Sequence, residues 1–168
     1  FRPPPSKEMA AFESEPALRQ VRFEVSRWHP LARIDVTADM RGPAPDFGGE
    51  LAPAARTAAA ASGAGAGEHF RYLFQDGTAP SAFLALAPPF ESVPILRGYL
   101  QSAPYKIRPR ARALVIGLGG GIDLAIALAH GSTAVTGVEV NPVTFGLLGR
   151  TFLDYGGGPS PAARASSS

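Results

Sequence analysis

The stretch ALVIGLGGGIDLAIALAHGSTAVTGVEVNP, Ala113 to Pro142, constrains this chain more than any other. Ala113 to Ile116 is an apolar run without polar alternation, the pattern of a strand buried on both faces of a parallel sheet. It stops at Gly117-Leu118-Gly119-Gly120-Gly121, where glycines let the backbone turn tightly and approach a ligand with no side chain in the way. Ile122 to His130 reads as a helix, closed at Gly131 by a residue suited to a left-handed cap. A second strand, Ala134 to Val140, then brings Glu139 to its carboxyl end. In such a unit the N–H groups and positive dipole end of the helix border a crevice, and a carboxylate there can accept both hydroxyls of a ribose.

Two readings of the glycines stand side by side. Glycine at a strand-to-helix junction can serve only to pack the helix on the strand; the acid 22 residues after Gly117 is what points to a ligand. A dinucleotide fingerprint needs glycine where Ile122 stands, so the turn favours a nucleoside without a pyrophosphate.

The residues before this unit alternate between strand patterns and breakers. Val21 to Met40 carries apolar residues at every second position and is interrupted by Trp28-His29-Pro30, which predicts two strands and a turn. Pro43 to Gly67 is dominated by Ala, Gly and Pro and is expected to be a long mobile loop. His69 to Leu86 reads as a hairpin around Asp76-Gly77, ended by Pro88 and Pro89. Val93, Leu96 and Leu100 suit a short helix between Glu91 and Ser102. The expected organisation is a poorly ordered leader over 1–20, a β region over 21–86 containing the loop 43–67, a cofactor-binding region over 91–155, and a disordered tail over 156–168.

Charge and cysteine content narrow the function classes. With 16 Lys and Arg against 14 Asp and Glu in 168 residues, the net charge is +2, and the arginines read as scattered singly, so a nucleic-acid groove is not expected. The absence of cysteine removes disulfides and thiolate metal sites, and His29, His69 and His130 are too far apart for a local metal cluster. No apolar stretch approaches the roughly 20 residues of a membrane-spanning helix, so no membrane segment is expected in this chain. A cytoplasmic setting fits, either as such or as the cytoplasmic part of a larger membrane protein.

VIGLGGGID followed by VTGVEVNP resembles the cofactor region of class I S-adenosylmethionine-dependent transferases, most closely the spermidine synthase-like branch. SRWHPLARIDV and LFQDGTAPS are similar to the N-terminal strands of the same branch, so the resemblance spans roughly residues 5 to 155 in order. It implies an α/β fold in which N-terminal β-strands and a hairpin precede the first β-α-β unit of a Rossmann-like methyltransferase fold, incomplete at the C-terminus. It also implies S-adenosylmethionine or decarboxylated S-adenosylmethionine as cofactor, a small-molecule amine or methyl acceptor as second substrate, and permits a homodimer. Gly117, Gly119 and Gly121 would line the methionine and ribose side, Gly120 and Asp123 would belong to the same cofactor site, Glu139 would hold the ribose hydroxyls, and Asn141 would lie beside the adenine. Asp76 and Tyr99 are the candidates on the substrate side.

The sequence departs from that family in three places. Aminopropyltransferases resemble G-G-G-D-G-G at this turn, whereas Gly120 stands at the position of the amine-holding acid and the nearest acid is Asp123. They show D-G-x-x-Q in the hairpin, whereas Asp76-Gly77-Thr78-Ala79 is followed by Pro80. Their catalytic acid comes from a loop after the fourth strand, and no residue here matches it, which predicts a truncated or remnant domain with no assignable catalytic residue. A methyltransferase of the same fold and a non-catalytic remnant are the competing expectations.

Other conspicuous residues have plainer readings. Trp28 is expected to anchor a core and His29 to belong to a turn. Asp35 and Asp39 are expected to face solvent or pair with Arg33 or Arg41. Asp76 is first a turn residue, Tyr99 and Tyr105 either pack or border the cleft, and His130 sits where a helix dipole favours its cation.

Overall fold

A computed structural model describes residues 21–43, 45–46, 51–55, 57 and 69–152, and the backbone of Ala163–Ala165. The leader 1–20 and most of the tail lie outside the described residues. The fold is mixed α/β, with one antiparallel and one parallel sheet.

Alternating apolar residues and two tight turns build the antiparallel sheet. β1 (Phe23–His29) pairs with β2 (Ala32–Thr37), with His29 opposite Ala32 across the turn, where the Leu31 N–H donates to His29 Nδ1 at 3.3 Å. β4 (His69–Gln75) pairs with β2, with the short β3 (Met40–Arg41) and with β5 (Thr78–Leu84). Asp76 and Gly77 join β4 to β5 at φ of 52° and 73°, the left-handed pair that a two-residue hairpin turn requires. Ile34, Val36, Leu73 and Phe83 face one way and pack with Leu147 and Phe152. On the other face of β2, Asp35 is only 1% exposed and is tied to the Arg33 guanidinium at 2.8 Å, while Thr37 Oγ1 accepts the Tyr72 N–H at 3.0 Å.

The parallel sheet holds β6 (Arg112–Ile116), β7 (Ala134–Val138) and β8 (Ala163–Ala165) in the order β6-β7-β8. β8 lies within the segment expected to be a disordered tail, so three residues of that segment have a place in the sheet. Before β6 comes α1 (Ala103–Ile107); α2 (Ile122–Ala129) joins β6 to β7; and α3 (Pro142–Gly146) runs on into a wide π-type turn over Leu147–Thr151. Ala125, Ile126 and Ala129 of α2 enter one core with Phe70, Leu84 and Leu96, and Ala127 enters another with Val115 and Val135. A helix apolar on nearly every side can be stable only when it is enclosed this way.

Four expectations need correction. Phe90–Ser92, Pro94–Arg97 and Leu100–Ser102 form three separate 3₁₀ turns instead of one helix, because Pro94 pushes Val93 into extended backbone and a proline ring cannot occupy a helix interior. Trp28 is 67% exposed instead of being a core anchor; its ring stacks beneath the Arg33 guanidinium, 5.7 Å from the centroid. β6 is covered on one face only, since Val115 packs under α2 while Leu114 and Ile116 are 63% and 78% exposed. Leu51, inside the expected mobile loop, is buried and bridges to Tyr99, next to a helical turn over 53–55.

His130 also differs from expectation. Its ring stacks on Tyr105 at 5.5 Å, and partial burial, then Arg97 and Lys106, hold its pKa below the ordinary 6.5. These effects outweigh the favourable helix end, because Arg97 has already taken the Ala129 carbonyl at 2.7 Å.

Two outcomes follow. Asp35→Ala strands the Arg33 guanidinium and is expected to cost about 3 kcal/mol, read as a lower urea midpoint at unchanged slope. His130 binds its proton less readily folded than unfolded, so stability should fall as pH drops below 6.5 toward its lowered folded value. Urea midpoints measured from pH 7.5 to 5 should show that slope, reduced in His130→Asn.

Candidate functional site

The glycine turn lies between the carboxyl ends of β6 and β7. The Gly117 N–H donates to the Val138 carbonyl at 2.8 Å and the Gly121 N–H to the Leu118 carbonyl at 2.8 Å, which closes the turn on itself before α2 begins. Gly117, Gly119 and Gly121 take φ of 81°, 49° and 86°, a region that costs any residue with a Cβ.

Space around the glycines separates their roles. A Cβ on Gly120 would lie 1.8 Å from the Ala82 carbonyl oxygen, and one on Gly119 would lie 2.6 Å from Ser81 Oγ. The Gly120 N–H donates to that same Ser81 hydroxyl at 2.9 Å, so β5 is pressed against the turn. A Cβ on Gly121 would meet Leu148 at 2.7 Å. These three therefore have a packing reason to be glycine. Gly117 has none: a Cβ there would meet nothing within 4 Å.

Glu139 follows β7 and reaches across to the turn. Its Oε2 accepts the Leu118 N–H at 3.0 Å and its Oε1 accepts the Asn141 N–H at 2.8 Å. Each carboxylate oxygen keeps a second lone pair, and the group is fixed in place by backbone donors. Asn141 is buried; its Oδ1 caps α3 by accepting the Val143 N–H at 3.0 Å, while its Nδ2 has no hydrogen-bond partner. A buried amide left without an acceptor costs free energy, so this unpaired donor stands out among the groups beside Glu139.

No protein-family model, curated protein or solved structure matches this chain. Its chemistry must be argued from the residues.

Of the residues singled out from the sequence, Gly117, Gly119, Gly120, Gly121, Glu139 and Asn141 converge on this crevice, and Asp123 stands in the first turn of α2 beside it. Asp76 and Tyr99 are engaged elsewhere. Asp76 holds the two hairpins together by accepting the Arg33 N–H at 2.8 Å, and buried Tyr99 donates its hydroxyl to the Pro45 carbonyl at 3.1 Å. Ser81 is a site residue that sequence reasoning missed. It meets the turn from 39 residues away, and a serine in a hairpin strand gives no local signal of such a contact. Among the described residues, no group of three or more His, Asp and Glu is placed to hold a metal ion, and no helix is long and apolar enough to cross a membrane.

The glycines can be ranked by experiment. Gly120→Ala drives a methyl group into a backbone carbonyl and is expected to cost about 2 kcal/mol or more, whereas Gly117→Ala carries only left-handed strain of about 1 kcal/mol. Urea denaturation of the two variants should place Gly120→Ala well below Gly117→Ala.

Proposed function

We propose that the crevice between Gly117 and Asn141 binds the adenosine part of S-adenosylmethionine or its decarboxylated form, in a spermidine synthase-like transferase domain. The observation that carries this is the pair just after the carboxyl end of β7: a carboxylate pinned by two backbone amides, and close to it in sequence a buried Asn141 Nδ2 with no acceptor. The remaining lone pairs of Glu139 suit the two ribose hydroxyls, and the Asn141 amide is a donor for a ring nitrogen of adenine. The open space at Gly117 leaves room for the sugar to lie against bare backbone. The β6-α2-β7 unit is, on this proposal, the first unit of a Rossmann-like fold.

When bound, the sulfonium cofactor supplies an electrophilic carbon to a nucleophilic acceptor. This chain's own contribution is to bind and orient, because such a substitution depends on holding the two partners in line. The proton lost by an attacking amine must go to a base, and none of the residues placed at this crevice is assigned that task.

A second reading, methyl transfer by the same fold, draws support from Gly120. Aminopropyltransferases resemble one another in carrying an amine-holding acid at that position, and here a Cβ alone would already overlap the Ala82 carbonyl. The next acid, Asp123, is a full turn further along and acts on the Tyr105 hydroxyl.

Thermal unfolding with each form of the cofactor tests both readings. A ligand present at a hundred times its Kd stabilises the native state by about 2.7 kcal/mol, a rise of several degrees for a domain of this size. The rise should vanish in Glu139→Ala and shrink in Asn141→Ala. A larger rise with the decarboxylated form supports aminopropyl transfer, and a larger rise with S-adenosylmethionine supports methyl transfer. No rise with either rejects the nucleoside site.

A further inference from the structure

At the opposite end of β6 from the glycine turn, a cavity of about 490 Å³ opens between α1 and the first residues of the strand. This volume is within the range of small-molecule sites. Its walls are apolar where Pro104, Ala113 and Leu114 face it and cationic where Arg108 and Arg112 do, and Tyr105 completes the lining on the α1 side. None of its lining residues is acidic.

The charged side chains that line it, Arg108 and Arg112, are both cationic. Lys106, Arg108, Arg110 and Arg112 occupy alternate positions of the segment KIRPRAR, and all four are exposed. Among the described residues, no carboxylate forms an ion pair with any of them. Elsewhere in the fold the arginines near carboxylates are matched, Arg33 with Asp35 and Arg71 with Glu24. Two of these cations, Arg108 and Arg112, line the concave, partly apolar wall and give it a positive potential.

Two further features belong to the same place. β6 has β7 on one side and no strand on the other among the described residues, so part of its backbone N–H row faces the free edge beside the cavity. Burial, and then Asp123, hold the Tyr105 pKa above the ordinary 10.0, which keeps its hydroxyl a neutral donor. Its ring is fixed against His130, so the wall it forms is preset.

We propose that this cavity is a binding site for a small organic anion, one carboxylate or phosphate group joined to a flat or aliphatic apolar body. The acidic group pairs with the Arg108 and Arg112 guanidinium groups, whose planar forks match two oxygens of one anion. The apolar body lies on Pro104, Tyr105 and Leu114, where it removes hydrocarbon from water that the protein otherwise leaves exposed. The site goes beyond the nucleoside proposal and stands or falls without it, since it shares no residue with the Glu139 crevice.

The test uses 2-naphthoate as probe, titrated calorimetrically into the full chain, beside its neutral analogue 2-naphthalenemethanol and inorganic phosphate. Saturable binding of the naphthoate is expected, with both the neutral analogue and phosphate about tenfold weaker or worse. The double variant Arg108→Gln, Arg112→Gln should lose about tenfold in affinity while keeping the wild-type urea midpoint, because neither side chain has a partner in the fold. Arg27→Gln, an exposed arginine on β1, should leave binding unchanged. Absence of saturable naphthoate binding, or equal binding by the folded double variant, would overturn the site. Phosphate binding as tightly as naphthoate would overturn its apolar half.

Discussion

The contact on which the rest of this structure depends is the one between Gly120 and β5. The turn backbone comes so close to the Ala82 carbonyl that no Cβ fits, and the Ser81 hydroxyl takes the Gly120 N–H in the same place. This joins the antiparallel sheet to the parallel one at the point where β6 passes into α2. Once the two sheets are held at that distance, Phe70 and Leu84 of the antiparallel sheet share a core with Ile126 and Ala129 of α2, and the helix is enclosed. A larger residue at position 120 would separate the layers and expose apolar side chains on both.

The same contact assigns part of the glycine signature to packing and leaves part for chemistry. Gly120 is required by the Ala82 backbone and would be needed if no ligand ever bound, while Gly119 and Gly121 are crowded by the side chains of Ser81 and Leu148. What packing does not explain is the open side of Gly117 and the orphan amide of Asn141. Glu139 is intermediate: its two backbone hydrogen bonds stabilise the turn, and they also fix the carboxylate in the orientation that the proposed binding role requires. A preset acceptor loses little rotamer freedom when a ligand arrives, which is why such fixed groups are effective recognition elements.

The local elements were legible in the sequence because their signals are local. Asp76-Gly77 between two alternating runs specified the hairpin, and Gly131 after an apolar helix specified its end, with φ of 72°. Glu139 was a site candidate from its spacing behind the glycine turn, and Asn141 from the family resemblance alone. What failed depended on neighbours distant in sequence. Trp28 looks like a core residue until Arg33 across the hairpin covers its ring in the open. Leu51 lies in an Ala- and Pro-rich stretch with nothing beside it to pack on, and its partner Tyr99 is 48 residues away. The apolar run of β6 was correctly a strand, but periodicity cannot say whether a second layer exists to cover Leu114 and Ile116.

Charge is distributed along β6 and β7 in a way that connects the two proposed sites. Glu139 and Asp123 lie at the carboxyl ends of the strands, while Lys106, Arg108, Arg110 and Arg112 lie at the entrance to β6. A five-residue strand spans about 17 Å, roughly twice the screening length at physiological salt, which separates Glu139 from the basic end, while Asp123 still acts on Tyr105 there. The acidic end suits a ligand whose sulfonium is positive and whose ribose needs an acceptor; the basic end suits the opposite sign. A chain with a net charge of only +2 can thus present two surfaces of opposite character. The separation has a cost in folding, since four like charges close in sequence repel one another. Among the described residues no carboxylate pairs with these cations, and that is the physical reason to look for an anion at this end of the fold.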